Sequence, residues 1–138
     1  MTRCWQKKSG HIVNVASLAA SFGVAGLSAY CASKFAMLGF SESLYHELAG
    51  IGVQVTVVSP IAVKTNFFDR ESVGGTMANY TGYALDPKSV SKAILAAAGS
   101  SRLEITVPFY GRGAAWFKHT LPYIVQPIVD AVSRRQIR

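Results

Sequence analysis

Three strand-forming runs recur along this chain with helix-forming spacers between them, and that alternation is what most constrains its fold. The cleanest run is Val53-Gln-Val-Thr-Val-Val58, β-branched everywhere except at Gln54. His11-Ile-Val-Asn-Val15 precedes it, after the turn residues Ser9-Gly10, and Leu103-Glu-Ile-Thr-Val107 follows it. Between the first two runs the spacing predicts a helix from about Ala29 to Ala49, with Met37, Phe40, Leu44 and Leu48 as its apolar stripe. Gly50 and Gly52 end it. Before the third run, Asp86-Pro87 supplies an N-cap and a proline at the first helical position, and Val90, Ala93, Ile94 and Ala97 form the apolar face. Strand, helix, strand, helix, strand is an α/β order that builds a parallel sheet. Three strands are few for a doubly wound sheet, and the first begins almost at the N-terminus. No glycine-rich phosphate loop joins a strand to a helix. The expectation is part of such a sheet, with an upstream portion missing.

Composition narrows the function classes. With 138 residues, half of them hydrophobic and 15% charged, the chain can build a core and is not a disordered tail. The net charge of +7 sits at the two ends. Arg3, Lys7 and Lys8 carry part of it, and Arg112, Lys118, Arg134, Arg135 and Arg138 carry the rest against Asp130; residues 9–108 are neutral. No aromatic-and-basic stripe or zinc spacing goes with that charge, so a nucleic-acid partner is not expected. Cys4 and Cys31 match no metal or disulfide pattern. Cys31 is expected to pack as a small hydrophobe on the side opposite Tyr30. His11, His46 and His119 are scattered without ligand spacing, so no metal is expected. Met1–Lys8 reads as an irregular junction or the remnant of a helix, with no secretory signal. Ile12 to Ser33 is 22 residues without a charge, long enough to span a membrane, but Asn14, Ser17, Ser21, Ser28 and Ser33 interrupt it. A cytoplasmic location is expected, with membrane association left open by the tail.

Tyr30 and Lys34 stand four residues apart at the start of the predicted long helix, hence on one face. A tyrosine ionises near pH ~10, and a neighbouring ammonium favours its phenolate, so such a pair can move a proton at a carbonyl or alcohol oxygen. The spacing alone is weak evidence. Thirteen residues before Tyr30, Ser17 follows the strand His11–Val15, where open α/β sheets bind ligands. Gly10-His-Ile-Val-Asn-Val-Ala-Ser17 followed by Tyr30-Cys-Ala-Ser-Lys34 resembles the active-site signature of the short-chain dehydrogenase/reductase family. Ser59-Pro60-Ile61-Ala62-Val63-Lys64-Thr65 is similar to that family's Pro-Gly-x-Val-x-Thr stretch after the next strand. The resemblance runs from about Gly10 to Val107, in order and in spacing.

That resemblance implies the C-terminal half of a Rossmann-type catalytic domain over residues 1–108, a partial doubly wound parallel sheet, with a basic, aromatic helical extension over 109–138. It implies an oxidoreductase that uses NAD or NADP on a small carbonyl or alcohol substrate, homo-oligomeric when full-length. Tyr30 would be the general acid or base, Lys34 would assist it and bind the nicotinamide ribose, and Ser17 would hold the reacting oxygen. Val63 and Thr65 would fix the carboxamide, and Pro60 would shape the turn. Plainer roles compete: a capping serine, a core tyrosine, a solvated lysine, a loop threonine. Ile61 stands where the family usually has Gly. The family's glycine-rich loop, its selector for NAD or NADP, its Asn-Ala-Gly segment and its catalytic asparagine all precede Ser17, and none can be placed in Met1–Gly10. Two rival readings therefore stand beside the enzyme: an incompetent fragment, and a non-enzymatic dimerising or membrane-surface module. The irregular stretch 66–85 is expected to be a lid or binding loop. In the tail, Pro122 and Pro127 interrupt the apolar residues, which either cover the substrate cleft or a subunit interface, or meet a membrane surface.

Overall fold

The computed structural model describes residues 2–66 and 84–136. Strands β1 (Gly10–Val15), β2 (Val53–Pro60) and β3 (Glu104–Val107) form one parallel sheet in the order β1-β2-β3. Val15 pairs with Val58, and Pro60 with Val107, so the carboxyl ends of all three strands lie on one edge. The central strand carries the burial. Val55, Val57 and Val58 are at most 1% exposed, and full burial of such a side chain stabilises by about 1.5–3 kcal/mol. Proline is tolerated at position 60 because it ends the strand, where Ile61 takes over as donor, its N–H bonding the Val107 carbonyl at 2.9 Å.

Helix α1 spans Thr2–Lys7, α2 Ser28–Glu47 and α3 Pro87–Ala97. A short 3₁₀ turn, Leu18–Ala20, lies between β1 and α2. Leu44 and Leu48 pack with Val53 and Val55, and Met37 and Leu38 pack against Val57, Ala16 and Ala20. Side chains alternate along a strand, so Thr56 lies on the other face of β2. There its hydroxyl donates to the Arg102 carbonyl at 2.7 Å, and it bonds His11 Nε2 at 2.9 Å, while His11 Nδ1 bonds the Ala98 carbonyl at 3.0 Å just beyond α3. Helices thus cover both faces of the sheet. Asp86 caps α3 as expected, accepting from the Lys88 N–H at 2.8 Å, with Pro87 at the first helical position.

The apolar stripe expected on α2 shifts by one residue. Phe40 is 57% exposed and Ser41 is fully buried in its place, because Ser41 bonds a polar group of β1. Met1–Lys8 is more regular than a junction. Its helix α1 sends Cys4 into the Leu44–Val55 cluster. Gly52 is required where this segment passes the α2–β2 turn, since its φ is +84° and a Cβ there would sit 2.2 Å from the Lys8 carbonyl oxygen.

After β3 come helices α4 (Gly111–Thr120) and α5 (Pro122–Gln136). The two prolines interrupt less than the sequence suggests. Pro122 opens α5, where a missing N–H costs nothing, and the helix runs through Pro127 with one backbone bond forgone. No helix among the described residues is long and apolar enough to cross a membrane.

Candidate active site

The site is assembled at the carboxyl edge of the sheet. Beyond β1 the Ala16 N–H still bonds the Val58 carbonyl at 2.9 Å, and the chain then turns away at Ser17. Beyond β2, residues 61–65 leave the sheet beside it. The amino-terminal turns of α2 face the same place. Together they enclose a cleft of ≈ 740 Å³, lined by Ser17, Tyr30, Lys34, Pro60, Val63 and Thr65, with Ile61, Ala62 and Ser33 between them. All six residues singled out from sequence therefore meet in one cavity.

Ser17 does two things there. Its Oγ accepts from the Ala19 N–H at 3.2 Å, capping the 3₁₀ turn. That bond occupies a lone pair and leaves the hydroxyl proton available to a group in the cleft. The Tyr30 ring packs against the Leu27–Cys31 cluster while lining the cavity. Cys31 is 5% exposed and belongs to that same cluster, so it is not segregated from Tyr30 as expected; its sulfur accepts from the Val24 N–H at 3.4 Å.

The Lys34 ammonium lies 5.7 Å from the centre of the Tyr30 ring and donates to the Val15 carbonyl at 3.3 Å. Partial burial holds its pKa below the ordinary lysine value of 10.5. Val63 forms a parallel bridge with Leu85, in which Leu85 N–H bonds the Ala62 carbonyl at 2.8 Å and Lys64 N–H bonds the Leu85 carbonyl at 2.9 Å. Backbone groups alternate along an extended segment, so the Val63 N–H and C=O point away from Leu85. One donor and one acceptor are what a carboxamide needs, and the residues present fit the nicotinamide end of a dinucleotide. Thr65 is exposed at the rim.

Part of the cavity was not legible from motifs. Leu18, Phe22, Val24 and Leu27 add an apolar wall to the same cavity. Only the density of apolar residues in a Gly/Ser/Ala loop hinted at it. Of the expected lid at 66–85, residues 67–83 lie outside the described residues. Among the described residues no group of three or more His, Cys, Asp or Glu side chains could hold a metal ion.

A parallel sheet covered on both faces, with a Ser, a Tyr-x-x-x-Lys pair and a Pro-x-x-Val-x-Thr turn converging at its carboxyl edge, defines a class of nucleotide-dependent dehydrogenases. The sequence profile of the family described as short chain dehydrogenase matches residues 1–73, and the chain belongs to that family. It is 37% identical over 116 residues to epidermal retinol dehydrogenase 2 of Mus musculus, an alignment covering 82% of this chain and 37% of that protein. Retinol dehydrogenase 10-B of Danio rerio is 36% identical over 117 residues, covering 83% of this chain and 34% of the relative. Among solved structures, a short-chain dehydrogenase from Streptomyces avermitilis superposes with a TM-score of 0.67 at 27% identity, covering 97% of this chain and 55% of that one. Another, from Sphingobium yanoikuyae in complex with NADPH, gives 0.71 at 25% identity, covering 90% and 48%. The chain thus spans about a third of these curated relatives and about half of these solved structures. The expected Rossmann-type α/β fold is the one observed.

Proposed function

We propose that these residues are the catalytic half of an oxidoreductase that interconverts a carbonyl compound and an alcohol with NAD or NADP. The observation that carries the reading is the convergence of Ser17, Tyr30, Lys34 and the 60–65 turn on one cleft at the carboxyl edge of the sheet. When bound, the nicotinamide supplies or accepts the hydride. The Tyr30 hydroxyl gives its proton to the carbonyl oxygen in reduction and takes it from the alcohol in oxidation. Lys34 places a positive charge beside the Tyr30 ring as charge develops on its oxygen, and the Ser17 O–H donates to the same substrate oxygen. Val63 backbone and Thr65 would hold the carboxamide, on the turn that Pro60 shapes. The adenosine and pyrophosphate of the cofactor need a glycine-rich turn that the 138 residues do not contain. The test is turnover by Tyr30→Phe in a polypeptide that joins a relative's nucleotide-binding half ahead of these residues.

The substrate is an extended apolar alcohol or its aldehyde or ketone. Leu18, Phe22, Val24 and Leu27 line the same cleft as the catalytic groups, and the mouse and zebrafish relatives are named for retinol. A second reading concerns the outer surface of α4 and α5. Trp116 is 64% exposed, Tyr123 93% and Ile128 60%. Exposed apolar and aromatic side chains on a helix pair that also carries Arg112 suit the interface of an anionic lipid surface, with the helices lying on it and not through it.

A further inference from the structure

Helix α4 touches the substrate side of the cleft at two places, one at each end. At its start, the Gly111 backbone lies against Leu18: a Cβ built there would be 3.7 Å from both Leu18 methyl carbons and 3.8 Å from Thr106 Cγ2. In its last turn, the Lys118 ammonium donates to the Ser21 carbonyl. The same ammonium sits over the Phe22 ring at 5.0 Å from its centre, and over the Phe35 ring of α2 at 5.8 Å. Leu18 and Phe22 both line the cleft. The loop between them carries only a three-residue 3₁₀ turn of its own, which is a weak scaffold for a cavity wall. A cation held between two aromatic rings and a carbonyl is a directional tie that an apolar contact would not supply. Burial lowers the Lys118 pKa, the nearby Cys31 opposing that shift, which marks an ammonium partly withdrawn from water.

We infer that α4 is a strut for the substrate wall, with Lys118 as a positioning residue that holds Phe22 and the 18–22 loop so that the apolar end of the cleft is preformed. The inference rests on reading the cleft as a substrate site, and it makes α4 part of that site and not an appendage to it. Lys118 touches no reacting atom. It acts through Phe22 and Ser21. The chemistry it serves is recognition of the apolar body of the alcohol or carbonyl compound.

The test reads the wall directly. Backbone amide exchange across residues 18–24 should quicken about tenfold in Lys118→Met, with exchange in β2 unchanged, because only the local tie is lost. Decanol, titrated into the 138-residue chain and followed by amide chemical shifts, should bind about fivefold more weakly to Lys118→Met, since the competent wall is then populated less. Lys118→Arg keeps the cation and should restore both readouts. Unchanged exchange at 18–24, or unchanged decanol affinity, overturns the strut. Loss of protection throughout β2 also overturns it, since Lys118 would then serve general stability. Absence of any NAD- or NADP-dependent turnover once a nucleotide-binding half is joined ahead of the unsubstituted residues would overturn the oxidoreductase reading and leave the strut standing, because neither readout depends on catalysis.

Discussion

Asn14 of β1 donates its side-chain amide to the Ser41 hydroxyl of α2 at 2.8 Å, and Ser41 in turn donates to the Met37 carbonyl one turn back at 2.7 Å. This polar rivet joins the strand that delivers Ser17 to the helix that delivers Tyr30 and Lys34. It replaces what would otherwise be packing by Phe40. Ser41 is fully buried, so removing its hydroxyl deprives the partly buried Asn14 amide of its acceptor. Ser41→Ala should cost about 1–3 kcal/mol in urea unfolding. A loss below a few tenths would mean that the rivet does not set the helix.

Tyr30→Phe keeps the ring against Leu27 and Cys31 and removes only the proton donor. In a polypeptide that includes a nucleotide-binding half, kcat should fall by about 100-fold or more, with cofactor affinity little changed. Retention of a tenth of the activity would assign the acid elsewhere. Lys34→Ala should damage both turnover and cofactor binding.

Lys34 also makes a stability prediction. Its pKa is lowered in the fold by burial, so the folded state disfavours the charged form relative to the unfolded chain. The penalty is present in full below the lowered value and disappears as pH rises past the unfolded value of about 10.4. Lys34→Met should therefore unfold at an equal or higher temperature than the unsubstituted chain at pH 7, with that advantage shrinking as pH rises through the alkaline range. Thermal melts at neutral and alkaline pH decide it, and an advantage that grows with pH would contradict the burial argument.

The 138 residues alone should bind NAD(H) or NADP(H) only weakly. On the proposed reading they offer the nicotinamide end, through Lys34, Val63 and Thr65, and the sequence holds no glycine-rich turn for the pyrophosphate. β1 is an edge strand whose residues are only partly buried, which favours self-association. Calorimetry on soluble, monodisperse protein is the measurement, and micromolar affinity would defeat the prediction.

Flotation with anionic liposomes tests the outer face of α4 and α5. Binding that survives high salt is expected if Trp116, Tyr123 and Ile128 enter the interface. No flotation at low salt would remove the lipid reading and leave the tail as a cover for the cleft or for a subunit interface.

Local chemistry made much of this protein legible in sequence. The β-branched run at 53–58, the Asp86-Pro87 cap and the four-residue step from Tyr30 to Lys34 depend on neighbours along the chain, and the same is true of the family signature. The α/β order followed from them, as did the list of residues that meet in the cleft. What tertiary structure decided involves partners far apart in sequence. Whether Phe40 or Ser41 faces inward depends on Asn14, which lies 27 residues away from Ser41. The loop that carries Leu18 and Phe22 meets Lys118, which reaches back 97 residues to the Ser21 carbonyl. Periodicity assigns a face to apolar residues by the hydrophobic effect alone. It cannot anticipate a buried hydroxyl that a strand amide requires, nor a surface-type lysine drawn between two aromatic rings.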